Sequence, residues 1–192
     1  MSLTCTNVGA DLTLACGSLP VAGLDSYVYL INKSQISAFT EASDIISAIT
    51  LTSGGSKAWK WTGGNDFING TYEAIEGRLA TQFRHTITLI MPEDSQAALS
   101  EINNAANARF VAIVAKNAAD GTYTFRVYGK SVGLKLTALT GDESNADTEG
   151  LPEVTFSTPE NLKEPKTPQH FYDGSAYSST STLLEGYRTA TA

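Results

Sequence analysis

Hydrophobic and polar residues alternate along much of this chain with a period of two. The alternation is longest over 71–91, where the odd positions carry Ile75, Gly77, Leu79, Thr81, Phe83, His85, Ile87, Leu89 and Met91. The even positions carry Ala74, Glu76, Arg78, Ala80, Gln82, Arg84, Thr86 and Thr88. Successive side chains of a strand point to opposite faces, so the pattern predicts a strand with one apolar and one polar face. Asn69-Gly70, just before it, is a tight-turn signal. A strand of about 20 residues at about 3.3 Å each would span roughly 65 Å, against a usual length of ~5–6 residues. Such a strand must bend sharply, or project and pair with something else, because an isolated two-stranded ribbon is marginal in water.

Shorter segments repeat the signal. Tyr27–Ile31 and Ile45–Leu51 are compact β-rich runs, and Gly54-Gly55 predicts a turn into Lys57–Trp61, where Trp59 and Trp61 share a face. Phe110–Ala115 is continuously apolar, as in a strand covered on both sides. Asp120-Gly121 marks a hairpin turn into Thr122–Tyr128, and Val132–Ala138 and Val154–Phe156 supply the last strands. One segment has helical spacing, residues 94–108, with acids at its start, Arg109 at its end, and Leu99, Ile102 and Ala106 along one stripe. Residues 1–26 have little regular pattern and read as an N-terminal arm. Residues 158–192, rich in Ser and Thr and broken by Pro159, Pro165 and Pro168, read as an extended C-terminal arm. The whole predicts a mainly β protein. It has a β-sandwich or barrel body over 27–157, one flanking α-helix, a long projecting hairpin over 57–91, and extended arms at both ends.

Composition narrows the functions open to such a body. The 192 residues are 42% hydrophobic and only 17% charged, too apolar for disorder and low in charge for an ordinary exposed surface. A surface poor in charge is expected where partners cover it. The net charge of −7 excludes a protein that wraps nucleic acid, which needs a clustered basic surface. No run of about 18 apolar residues exists, so no helical membrane anchor is expected. No Lys or Arg precedes Lys33, so an export signal is not expected. Cys5 and Cys16 are too few for a disulfide framework or a zinc site and are expected to be reduced thiols.

The residues offer little catalytic chemistry. Gly129-Lys130-Ser131 lacks the glycine five positions earlier that a phosphate loop requires; Thr124 stands there, so a turn between strands is expected. His85 and His170 are the only histidines and lie far apart in sequence, which argues against a catalytic metal. His85 is expected to pack against a neighbour. No Gly-x-Ser-x-Gly elbow occurs. The acidic stretch Asp142, Glu143, Asp147, Glu149 lacks the ligand spacing of a calcium loop and is expected to be a solvated turn. No enzyme activity, metal or cofactor is expected. Trp59, Trp61, Phe67 and Tyr72 cluster in sequence as core aromatics, a sugar platform or a subunit contact.

The combination of β body, single helix, overlong alternating hairpin and two arms resembles the tail tube subunits of tailed bacteriophages. Three segments carry the resemblance: Lys57–Met91 is similar to the tube-forming hairpin, Asp94–Ala108 to the helix that follows it, and Tyr123–Gly129 with Gly133–Ala138 to the paired strands after that helix. The resemblance implies a virion structural protein, made in the host cytoplasm, that self-assembles into hexameric rings. The rings would stack into a tube through which DNA passes without specific binding. It implies homo-oligomerisation and contact with terminator, tape measure and possibly sheath proteins.

On that basis the candidate subunit interface is Trp59, Trp61, Ile75, Leu79, Phe83, Ile87, Leu89, Phe171 and Tyr172. The candidate lumen face is Glu76, Arg78, Gln82, Arg84, Thr86 and Thr88. Arg78 and Arg84 favour phosphate and oppose free passage unless acids neutralise them. The alternatives are another virion assembly protein, for head decoration or tail completion, and an extracellular β-sandwich adhesin or carbohydrate-binding module.

Overall fold

A computed structural model describes residues 23–52, 57–63, 67–77, 80–91, 95–116 and 124–189. The chain is mainly β, with two sheets and two helices. The strands are β1 (Leu24–Asn32), β2 (Ile36–Ala42), β3 (Ile45–Leu51), β4 (Ala58–Thr62), β5 (Ile68–Glu76), β6 (Thr81–Ile90), β7 (Phe110–Lys116), β8 (Phe125–Tyr128), β9 (Lys135–Thr140), β10 (Glu153–Ser157) and β11 (Gln169–Phe171). The helices are α1 (Gln96–Ala105) and α2 (Tyr177–Thr189). Seven strands form one sheet in the order β2-β3-β11-β8-β7-β1-β4, and four form a second in the order β5-β6-β10-β9.

The central strands of the seven-stranded sheet are buried on both faces. Val28 and Leu30 of β1 and Ala112 and Val114 of β7 face the four-stranded sheet. There they pack with Ile87, Leu89, Val154 and Phe156 and with Ile102 of α1. The alternate residues Tyr29, Ile31, Val111 and Ile113 face the other way and meet Phe125, Phe171 and Leu184. Full burial of each large side chain contributes about 1.5–3 kcal/mol, and β7 is continuously apolar because both of its faces are covered. The acidic stretch 142–149 forms turns and a short 3-10 helix (Ala146–Thr148) that expose Asp142, Glu143, Asp147 and Glu149 and bury Thr148.

α1 starts where Ser95 Oγ accepts the Ala98 N–H, capping an otherwise unpaired donor. Its buried side is Ala98, Ile102 and Ala105. The β2–β3 turn places Ser43 and Asp44 at φ 50° and 66°, the left-handed geometry of a tight hairpin. β2 was not visible in the sequence, since Ile36–Ala42 is mostly exposed and its alternation is weak.

Several expectations are corrected. The strands expected to pair after the helix do not: β8 pairs with β7 and β11, whereas β9 pairs with β10 in the other sheet. The first further correction concerns the hairpin. The run 71–91 is not one strand. β5 and β6 form an antiparallel hairpin in which Glu76 stands opposite Thr81 and the Gly77 N–H donates to Ala80 O at 3.1 Å. A Cβ at Gly77 would lie 2.5 Å from that oxygen, so glycine is required for the close approach. Asn69 and Gly70 lie inside β5, opposite Thr88 and Ile87, not in a turn. The alternation seemed unbroken because residues at the projecting hairpin end, such as Ala74, Glu76, Thr81 and Gln82, are exposed on both faces. Their polarity therefore says nothing about which face they occupy.

The second correction concerns β4, the Trp59–Trp61 strand. It pairs with β1 at the edge of the other sheet and is no part of the β5–β6 hairpin. The third concerns the C-terminal segment. It is not an extended arm: β11 inserts between β3 and β8, and α2 closes the second core. The N-terminal arm boundary also moves, since β1 begins at Leu24. Cys5 and Cys16 lie outside the described residues.

Candidate functional site

The four-stranded sheet carries the most distinctive surface. One face belongs to the core and the other is open. Pairing places Thr71 opposite Thr86, Glu73 opposite Arg84, and Thr88 opposite Thr155. Directly opposed residues of an antiparallel pair share a face. Thr71, Glu73, Arg84, Thr86, Thr137 and Thr155 accordingly line one shallow depression on the open side. The threonines are linked: Thr88 and Thr155 hydroxyls lie 3.4 Å apart, and Thr137 donates to Thr155 O at 3.2 Å.

Charge on this face cancels. Arg84 Nη1 lies 2.9 Å from Glu73 Oε1. By register Glu153 and Lys135 also stand on this side, opposite Thr140 and Ser157. Among the described residues the face therefore bears two acids and two bases and little net field.

Among the described residues both edges of the sheet are open: β5 pairs only with β6, and β9 only with β10. Beyond Thr86 the hairpin extends past β10, and Phe83 exchanges both backbone hydrogen bonds with Glu164 instead, at 2.8 and 2.9 Å. An uncovered edge nine residues long is a template for pairing with another chain.

The face assignment of the candidate residues follows from the turn. Across the hairpin, odd residues of β5 share a face with even residues of β6. Gln82, Arg84, Thr86 and Thr88 stand on the open face as expected. Ile75 stands with them, opposite Gln82, and Glu76 falls on the other face, opposite Thr81. Ile75 and Glu76 thus stand on each other's expected faces. Ile87, Leu89 and Phe171, expected at a subunit interface, are 0%, 2% and 0% exposed in this chain's own core. They are corrected to core residues, because an apolar strand face finds its partner within the same sandwich. Phe83, Trp59, Trp61 and Tyr172 are half-buried and keep surface for a partner. Arg78 and Leu79 lie outside the described residues.

His85 is a packing residue. Its Nδ1 accepts the Gly129 N–H at 3.2 Å and its Nε2 donates to Lys166 O at 3.0 Å, which fixes one neutral tautomer. Burial holds its pKa below the usual value, against the opposing pull of Glu164 and the Lys166 carbonyl. Glu164, 2% exposed, accepts the backbone N–H groups of Ser131 and Val132 at 2.9–3.0 Å. It ties the Gly129–Gly133 turn down, so Gly129-Lys130-Ser131 is a turn between strands. Among the described residues no cluster of ligands could hold a metal ion.

A second feature is a cleft between β4 and α1, lined by Leu30, Trp59, Trp61, Glu101, Asn104 and Phe110. Trp61 leans on Phe156, ring centroids 6.1 Å apart. Sequence reasoning found the β6 half of the open threonine face, Arg84, Thr86 and Thr88, but missed Thr71, Glu73, Thr137 and Thr155, and it missed the pocket around Arg126. The pairing register that creates these surfaces depends on the hairpin that sets Glu76 opposite Thr81.

No protein-family model, curated protein or solved structure matches this chain.

Proposed function

We propose that this chain is a tail tube subunit of a tailed bacteriophage, a virion structural protein that self-assembles into rings stacked around a passage for DNA. The observation that carries the reading is the four-stranded sheet. It has one face in the core, one electrically balanced threonine-rich face, and two uncovered edges. Joining β5 of one copy to β9 of the next removes both edges, and repetition around a ring closes a barrel. β5 and β9 run in opposite directions in the sheet order, so the new pair is antiparallel, like every pair within the sheet. The open face then lines the bore. Phosphates meet hydroxyls and a neutralised arginine there, which supports passage without retention. Hexameric rings, and terminator, tape measure and sheath partners, belong to this proposal through the resemblance alone.

The experiment is negative-stain electron microscopy of the purified chain, with its mass by light scattering. Rings or hollow tubes support the reading. Compact particles of monomer mass at every concentration overturn it.

The Trp59–Trp61 cleft favours a second reading, a saccharide-binding module, because two indoles stand beside the polar Glu101 and Asn104. It predicts a stable monomer whose tryptophan fluorescence changes with oligosaccharide.

A further inference from the structure

Among the described residues, Arg126 is a charged group with a buried donor that its surroundings do not satisfy. It stands on β8 between Phe125 and Val127, whose side chains enter the core beneath α2. Strand alternation turns Arg126 and Tyr128 to the opposite face, toward the four-stranded sheet. Tyr128 fills the space over Gly70, where an added Cβ would lie 2.9 Å from its hydroxyl. Arg126 emerges at the flank of the sandwich, in an open pocket shared with Asp44, Tyr72, Phe83, Lys166, Gln169 and His170.

Its Nε is buried and without a hydrogen-bond partner. Among the described residues no carboxylate pairs with its guanidinium. The neighbouring cations are committed, Lys166 to Asp44 and Lys130 to Glu41. A guanidinium N–H that loses hydration without gaining an acceptor, as Nε does here, is an unfavourable element of a fold. It becomes favourable once a planar anion fills the fork, and aromatic walls such as Tyr72 and Phe83 strengthen that bond by excluding water.

We propose that this pocket receives a carboxylate of a second copy of the chain, docked along β5; the proposal rests on the assembly reading above and names a contact within it. The pocket opens beside the uncovered β5 edge, and Tyr72 of that strand is 47% exposed at its mouth. The chain has 20 acids against 13 bases, so a copy of itself is an anionic partner. Asp142, Glu143, Asp147 and Glu149, exposed and without ion pairs among the described residues, follow directly on β9. β9 is the strand that would meet β5.

The test compares wild type with Arg126→Gln and Arg126→Lys, following assembly by light scattering over a salt series and thermal unfolding of the unassembled chain. Arg126→Gln is expected to raise the concentration needed for assembly at least about tenfold and to flatten its salt dependence. Arg126→Lys should fall between, since an ammonium keeps the charge but not the fork. The unassembled Arg126→Gln chain should melt no lower than wild type, because it loses an unpaired charge.

Wild type that assembles beside an Arg126→Gln chain assembling at the same concentration and salt dependence overturns this proposal alone. Wild type that never assembles overturns the functional reading, and this contact with it. A fall in melting temperature that accounts for the assembly defect overturns it in favour of a structural role. So does protection of wild type, but not Arg126→Gln, by excess inorganic phosphate with assembly untouched, which would make the pocket a small-anion site.

Discussion

Arg84 and Glu73 face one another across the β5–β6 pair, with Nη1 2.9 Å from Oε1 on the open side of the four-stranded sheet. An exposed pair of this kind contributes about 0.2–1 kcal/mol, so its consequence lies in charge more than in stability. It removes a cation from a face that otherwise presents hydroxyls. Glu73→Gln should leave folding and assembly intact and uncover Arg84. Tubes of the variant are expected to retain fluorescent duplex DNA at low salt and release it as salt rises, whereas wild-type tubes retain none. Equal behaviour of the two would show that Arg84 is not the charge that matters for passage.

Ile87 and Phe83 both lie on the apolar side of β6, and the structure separates their roles. Ile87 is fully buried among Leu89, Val154 and Phe156, whereas Phe83 is half-exposed where the hairpin passes β10. Ile87→Asp should abolish folding, read as loss of the cooperative melting transition. Phe83→Asp should leave a folded chain that fails to assemble. A Phe83→Asp chain that assembles normally would remove this part of the hairpin from the interface.

α2 is held by a clamp at Glu185. Its Oε1 accepts from Tyr29 Oη at 2.6 Å and Lys60 Nζ at 2.8 Å, and its Oε2 from Arg188 at 2.6 Å. Lys60, then Tyr29 and Arg188, lower its pKa to about 2. A carboxylate with a depressed folded pKa stabilises the fold above its unfolded value of about 4.3 and loses that contribution as pH falls toward 2. Glu185→Gln should weaken α2 at neutral pH and reduce the dependence of melting temperature on pH between about 4.5 and 2. The side chain is partly exposed, so the effect is smaller than the shift alone suggests. Leu184→Ala, at the buried centre of the same helix, should cost about 2–5 kcal/mol in urea unfolding.

His85 predicts a second pH dependence. Its folded pKa is lowered by burial, so on acidification the unfolded chain takes up the proton first. Stability is then complete above about 6.5 and is lost as pH falls below it. Protonation would also set an N–H against the Gly129 N–H. His85→Phe should remove this slope while leaving the Gly129 N–H and Lys166 carbonyl unpaired, at about 1–3 kcal/mol each. A variant that keeps the slope would assign it to another group.

Much of this fold was legible in the chain. The continuous apolar run of β7 and the helical stripe of α1 report burial directly, and both elements form within the segments that carry those patterns. Two things were hidden. The hairpin link between Glu76 and Thr81 continues the alternation by coincidence, which merged two strands and exchanged the faces of Ile75 and Glu76. α2 is rich in Ser and Thr, with Gly186 in its interior, and has little intrinsic helix preference. Tertiary contacts at Leu184, Glu185 and Tyr187 hold it, and local sequence does not announce them. Arg126 was invisible for the same reason: only the pairing of β8 with β7 and β11 brings it to the flank beside β5.

The most direct measurement is a cryo-electron microscopy reconstruction of particles formed by the purified chain. The account predicts a closed barrel with β5 of each copy paired to β9 of the next. Thr71, Arg84, Thr86 and Thr155 should line the bore. A bore lined by another surface, rings joined through β2 or β4, or a chain that stays monomeric at every concentration would contradict it.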